Sequence, residues 1–560
     1  MVTCTLKNIL PVLFSAVFLE HAFPNPQDHP ISSSTQPGLE AISASSLQKH
    51  MAVLGSDSLE GRGTGTRGGE RAAQYIAEEL AKLKLVPIGD DSSYYQSIPM
   101  HGSRVLPNST FIMTFQGKEH EFVLHRDYVL YNSGAPTFVP KPAPMVFVGY
   151  GIIAPEFDYN DYQSLDVSGK IVVFLSGEPP SSDSSYFDGS RPTLHYYPEV
   201  KQRVAISRGA AGSVLIPNPR EAAGRNWRHW LMQFAFEDVT LLYSVTANLS
   251  ALINPQAAQE LFRGAPYTLS QILDMDAANN MRSFPLAVAA AFRGQFQERD
   301  FLAPNVIAML EGDDPRLKDS YLLISAHYDH LGIGPAAQGD SIYNGVFDNA
   351  AGVAAVLEIA RAFTLMPERP RRSVIFLFTT AEEKGLLGAT YYTDHRVMPL
   401  YKTIANVNVD GLAMFDTFND VVGVGAELST LGGDLQKILA AFKMRASPIP
   451  SPFLNSAAFT RSDQIAFAKA GIPAVLLMEG VDYRHSSPAA GLQRMIEWGQ
   501  RIYHSPFDDL RQPINFAAAR QHGQILFSFC WSLANGEEAP QWKPGTPYVN
   551  ARLRSIAEKR

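Results

Sequence analysis

Between Ser325 and Glu383 the chain places metal-ligating side chains where apolar runs end, and this pattern constrains it more than any other feature. The first run closes on Ser325-Ala326-His327-Tyr328-Asp329-His330. Phe347-Asp348-Asn349-Ala350-Ala351-Gly352 opens a helical pattern, and a further apolar run closes on Ala381-Glu382-Glu383-Lys384-Gly385. Strand-to-loop and loop-to-helix junctions line the carboxyl edge of an open α/β sheet, where sites form. The surrounding grammar agrees. Periodicity predicts strands at 306–310, 322–326, 373–379, 403–409 and 474–478, and helices at 349–363, 386–393, 431–442 and 514–533, an α/β order.

A chain of 560 residues exceeds what one core holds, so two or three domains are expected. A formal charge of -8 is mild for this size and argues against nucleic acid as the main partner. Near the N-terminus Lys7 precedes an apolar run over 9–19, the length of a signal-peptide core and too short to span a bilayer. This predicts a signal peptide at 1–22, export to a periplasmic or extracellular setting, and no stable membrane association once the signal is removed. Pro- and Ser-rich sequence over 23–42 reads as a flexible leader. Cys4 and Cys530 are the only cysteines, and Cys4 falls inside the signal, so the mature chain is expected to form no intramolecular disulfide.

A helix is predicted over 45–54. The glycine-rich 61–69 precedes an amphipathic helix at 70–83, on which Ala72, Ala73, Ile76, Ala77, Leu80 and Leu83 keep the helical period. That loop has neither the P-loop nor the dinucleotide spacing, so phosphate binding is not its expected use. From about 100 to 300 the texture turns to strands, with a helix over 203–212 followed by a strand at 213–216. No segment there gathers His, Asp, Glu and Cys at ligand spacing, and 140–290 reads as an inserted, mostly β module without chemistry of its own.

His327 follows a predicted strand, and Asp329 two residues on can accept the second ring N–H of a metal-bound histidine. Asp348 stands at a helix start, where either it or Asn349 could be an ordinary N-cap. A carboxylate also has two oxygens with which to bridge two cations. Adjacent Glu382 and Glu383 repel unless a cation or proton neutralises them, and one can bind metal while its neighbour serves as base. Asp410 ends a further strand, and His504 lies on a Pro-containing loop before the last long helix. Two histidines and three acids with a spare glutamate would suit two zinc ions sharing one carboxylate.

These pieces resemble the co-catalytic zinc aminopeptidases of metallopeptidase family 28. The resemblance is carried by His327-Tyr328-Asp329-His330-Leu331-Gly332, Asp348-Asn349-Ala350-Ala351-Gly352, Glu382-Glu383, Asn408-Val409-Asp410, Ser462-Asp463-Gln464 with Gly471-Ile472-Pro473, and Tyr503-His504-Ser505, spanning about 300–535. Leu59-Glu60-Gly61-Arg62-Gly63-Thr64-Gly65 looks like the first segment of secreted members. Gly169-Lys170-Ile171-Val172-Val173 and Gly209-Ala210-Ala211-Gly212 resemble a protease-associated domain. The resemblance implies a zinc-peptidase fold, a mostly parallel mixed sheet flanked by helices, built from 43–139 and 291–540 around the insert at 140–290, with a C-terminal tail at 541–560. It implies two Zn2+ per chain: His327 and Asp410 on one, Glu383 and His504 on the other, and Asp348 between them. Glu382 would be the general base, Tyr503 a candidate oxyanion donor, and Asp329 and Asp463 supports behind the ligands. The implied activity is release of N-terminal residues from peptide substrates. A dipeptidase or carboxypeptidase of the same fold is the alternative, and a receptor-like relative without catalysis a further one. Phe347 and Gln464 depart from the family pattern, outside the ligand set.

Overall fold

The computed structural model describes residues 35–131, 137–183, 185–189, 192–220, 226–456 and 458–558, so the expected signal peptide and the leader up to residue 34 lie outside the described residues. Two sheets organise the chain. The larger carries ten strands around a parallel centre: Ser373–Thr379, Tyr321–His327, Thr403–Asn408 and Ala474–Glu479 lie side by side, with antiparallel strands on both flanks. The central strands are buried on both faces, which is why they read as unbroken apolar runs rather than alternating ones. Leu322, Ile324 and Ala326 face a core shared with helices Ala44–Leu54, Arg67–Lys82, Ala351–Thr364 and Phe516–Asn535. Leu323, Ile375 and Leu377 face the opposite core, with Tyr392, Phe467 and Trp542.

The second sheet has eight strands running from Thr110–Phe115 to Phe284–Arg293 in sequence, so it starts ahead of the expected boundary at 140. The reason is packing. The hairpin of Thr110–Phe115 and Lys118–Phe122 turns Phe111, Met113 and Phe122 into the second core, where Phe111 lies 5.2 Å from Tyr128 and 5.8 Å from Phe292 between ring centres. This lobe is also less purely β than expected. Phe138–Phe147, Ile171–Leu175, Gly212–Ile216 and Leu249–Ile253 are parallel neighbours, with helices Pro198–Ser207 and Leu269–Ala277 beside them.

Two long antiparallel strands join the lobes. Tyr95–Val105 leaves the main sheet and Phe296–Leu310 returns to it, paired from Tyr95↔Val306 out to Val105↔Phe296. A segment of the second lobe, Asp238–Leu241, adds itself to the edge of the main sheet beside Tyr95–Val105.

Boundaries elsewhere differ from expectation too. Residues 36–41 of the expected flexible leader are helical, with Leu39 buried. The helix expected at 203–212 runs Pro198–Ser207, started by a proline at its first turn and ended before Gly209 at φ +81°. The tail docks as helix Val549–Ala557, and the buried Trp542 indole donates to the Gly471 carbonyl at 2.9 Å. Among the described residues no helix is long and apolar enough to cross a membrane.

Candidate metal centre

The carboxyl edge of the parallel strands gathers the ligand-type side chains. His327 is the last residue of its strand and is fully enclosed. Its Nε2 lies 3.1 Å from Asp410 Oδ1 and 3.2 Å from Asp348 Oδ1. Asp410 follows the neighbouring strand Thr403–Asn408, and the parallel pairing of Ser325 with Asn408 brings the two strand ends level. The other oxygen of Asp348 faces His504, whose Nε2 is 3.1 Å from Asp348 Oδ2 and 3.1 Å from Glu383 Oε2. The structure thus brings together His327, Asp348, Glu383, Asp410 and His504, and sets Glu382 beside His327 and Asp410, one candidate ligand atom from each of these three lying within 4.8 Å of the other two.

Local structure explains each position. Asp348 sits in a kinked segment just before helix Ala351–Thr364, which begins two residues later than expected because Asp348 and Asn349 have non-helical dihedrals. The cap-like role falls to Asn349: its Oδ1 accepts from Gly352 N at 3.0 Å and Gly411 N at 2.8 Å, and its amide donates to the Val409 carbonyl. Asp348 is therefore left free to face the histidines. Asp508, absent from the expected site, holds this segment by accepting the Phe347 N–H at 2.9 Å and the Asp348 N–H at 3.1 Å.

Asp329 does something other than expected. The ring N–H of His327 reaches the Asp329 carbonyl at 3.2 Å, while the Asp329 carboxylate is 3.7 Å from that nitrogen. The carboxylate instead accepts the backbone N–H groups of Glu382 at 3.0 Å and Glu383 at 3.3 Å, and the Thr64 hydroxyl at 3.2 Å. It anchors the turn that presents both glutamates. Below this lies Arg62, from the glycine-rich loop, fully buried and donating to the carbonyls of Leu54, Tyr328, Asn344 and Gly345. The loop thus braces the site's backbone. Asp463, fully buried, accepts from Thr379, and burial pushes its carboxyl up to about 7. Gln464 accepts from Asn408 at 2.9 Å, one layer behind Asp410.

Tyr503 stacks on His504 with ring centres 3.8 Å apart and is part exposed at the mouth. Phe347, Phe415 and Trp498 add an apolar wall next to Asp348, the Phe347 ring lying 5.7 Å from Phe415 and 5.3 Å from Trp498. On the other side the second lobe reaches in: the Glu237 carbonyl accepts from Lys384 Nζ at 2.9 Å, one residue past Glu383. His330 is buried against Glu383, a position that its place in the His327–His330 run could have flagged.

Electrostatically the cluster is short of positive charge. Among the described residues no lysine or arginine pairs with Asp348, Glu382, Glu383 or Asp410; their charged neighbours are histidines. Burial raises the Glu382 carboxyl well above the usual range, and nearby Asp410, Glu383 and Asp463 add to it although His327 opposes. Burial likewise penalises Asp348, but His327 and His504 outweigh it and hold that carboxyl well below the usual range. Two donors on one zinc, ~2.0 Å from it in a tetrahedron, stand about 3.3 Å apart. The contacts of Asp348 with His327 and His504, of His327 with Asp410 and of His504 with Glu383 all fall at 3.1–3.2 Å, so the donor set fits zinc.

Residues 305–530 match the model of peptidase family M28. Leupeptin-inactivating enzyme 1 of Streptomyces exfoliatus is 30% identical over 254 residues, 44% of this chain and 51% of that protein. The vacuolar membrane protease of Saccharomyces cerevisiae (strain S288c) is 28% identical over 176 residues, 29% of this chain and 17% of that one. The chain thus spans about half or less of the curated relatives it matches. In fold it is similar to an aminopeptidase from Aneurinibacillus sp. strain AM-1, at TM-score 0.54 and 16% identity over 91% of this chain and 97% of that one. Residues 305–530, which carry every ligand-type side chain of the cluster, are thus similar to peptidase family M28.

Proposed function

We propose that the protein is an exported aminopeptidase that uses two zinc ions to release N-terminal residues from peptides. The observation that carries this reading is the division of Asp348: one oxygen faces His327 and the other faces His504. His327 and Asp410 would hold one ion with Asp348, and Glu383 and His504 the other. When bound, zinc would acidify water and polarise the scissile carbonyl. Glu382 is the chain's own proton carrier: burial and acidic neighbours raise its proton affinity, which suits a carboxylate that takes a proton from attacking water and returns it to the leaving amine. The Asp329 carboxylate fixes the turn from which Glu382 projects. Tyr503, whose ring stacks on His504 at the mouth, would donate to a developing oxyanion. The aromatic wall of Phe347, Phe415 and Trp498 would take an apolar substrate side chain and exclude water. The second lobe, resembling a protease-associated domain, would border the cleft through Glu237 and Lys384.

Dialysis against a chelator followed by zinc addition, assayed on a panel of aminoacyl anilides, tests the reading. Loss and recovery of anilide cleavage is expected. If the anilides stay uncut while blocked dipeptides are cleaved, the aminopeptidase assignment yields to a dipeptidase or carboxypeptidase. If neither class is cut, the receptor-like alternative stands.

A further inference from the structure

The His330 side chain is not among the residues that would hold metal above, yet it is fully buried in the middle of them. Its Nδ1 is 2.7 Å from Glu383 Oε1, and its ring centre is 5.6 Å from that of His504. Three candidate ligand atoms from His330, Asp348 and Glu383 lie within 4.8 Å of one another, so His330 could be taken for a ligand itself. Distance argues otherwise. The donor pairs within each of the two sites stand at 3.1–3.2 Å, near the ~3.3 Å edge of a zinc tetrahedron. The His330–Glu383 separation is shorter and matches a hydrogen bond to an ionised carboxylate, ~2.7–2.9 Å.

We propose that His330 is a positioning residue that restricts Glu383 to one ligating oxygen. Glu383, as a carboxylate, can only accept, so His330 Nδ1 carries the proton and occupies Oε1. Oε2 is the oxygen left facing His504. A carboxylate free to rotate could put both oxygens on its ion and fill the position that water or substrate needs; catalytic zinc sites keep such a position open. The ring is fixed from behind. A Cβ at Gly345, where φ is +58°, would fall 2.5 Å from His330 Cγ, so the backbone there runs flat against the imidazole. The His330 N–H also bonds to the Arg62 carbonyl at 3.3 Å, tying the residue to the buried glycine-rich loop.

This inference rests on the metal reading above, and the experiment separates the two. Cobalt is loaded into wild type, His330→Asn, His330→Gln and His330→Phe, and the metal-to-protein ratio and visible absorption are measured, with thermal unfolding as a check on folding. If wild type takes up no cobalt, the metal reading itself fails. An asparagine amide nitrogen can occupy the place of Nδ1, so His330→Asn is expected to keep the wild-type ratio and spectrum. His330→Gln and His330→Phe should keep the ratio but lose about half of the visible absorption, because a second Glu383 oxygen raises the coordination number. Should His330→Phe fail to fold, His330→Gln decides. A drop of the ratio in all three variants would make His330 a ligand and overturn the proposal. So would wild-type spectra throughout, or an altered spectrum in His330→Asn.

Discussion

The two lobes bury charge in opposite ways. In the second lobe, the buried charges Asp161, Lys201 and Asp276 have their partners within the chain. Asp276 takes the Arg220 guanidinium and the Tyr150 hydroxyl, and Asp161 takes the N–H groups of Tyr150 and Ile152 and the Tyr159 hydroxyl. Lys201, fully buried, donates to the Tyr150 carbonyl at 2.7 Å. Such groups hold a fold together but offer nothing to a ligand. At the carboxyl edge of the main sheet, Asp348, Glu382, Glu383 and Asp410 crowd around histidines, and among the described residues no lysine or arginine pairs with them. Buried like charges are costly unless a cation neutralises them. The difference teaches where to look for chemistry: at buried charge whose balance must come from outside the chain.

Substitutions on each side should break this contrast in different currencies. The largest effect is expected from Glu382→Gln, which should cut kcat on an aminoacyl anilide by ~10²–10⁴-fold while metal analysis finds the wild-type content. Retained turnover would remove Glu382 from its role, and lost metal would make it a ligand. In the second lobe, Asp161→Ala leaves two backbone N–H groups and a buried hydroxyl without their acceptor. It should lower stability in denaturant by about 3 kcal/mol and leave metal content and kcat of the folded protein unchanged.

A buried group of the main lobe gives a pH test of similar size. Burial pushes His522 down to about 4, so the folded protein keeps it neutral while the unfolded chain protonates near the ordinary 6.5. Its contribution is complete above pH 6.5 and is lost as pH falls from 6.5 to 4, about 3 kcal/mol over that window. Denaturant unfolding of wild type and His522→Gln across that range should show a pH slope in the wild type that the variant loses.

Smaller still is the expected effect of Asp508→Asn, which disturbs the two N–H bonds that place Asp348. It should weaken metal affinity by ~10–100-fold, read by chelator competition, with little change in the second lobe. Thr64→Val removes a single hydroxyl from Asp329, and should cost about 1 kcal/mol of stability with metal content intact.

Much of this was legible in the chain because local rules decided it. Strands at 373–379 and 474–478 are doubly buried and so read as continuous apolar runs, and they appear as Ser373–Thr379 and Ala474–Glu479. The helix at 45–54 appears as Ala44–Leu54. Where long-range packing decides, the reading shifted. The hairpin at 110–122 has no local mark of which lobe owns it, and only the contacts of Phe111 with Tyr128 and Phe292 assign it to the second core.

The site divides in the same way. Residue type and placement at strand, loop and helix junctions marked His327, Asp348, Glu382, Glu383, Asp410 and His504 as candidates, because junctions at the carboxyl edge of parallel strands face one cleft, and the family resemblance supplied their roles. Sequence could not say which group would hold which. That the cap-like role fell to Asn349 and freed Asp348, that the Asp329 carboxylate grips the Glu382–Glu383 backbone, and that Asp508 and Arg62 brace the loops depend on hydrogen bonds between residues far apart in the chain. Such bonds have no local signature, since direction and distance exist only once the sheet has brought its loops together.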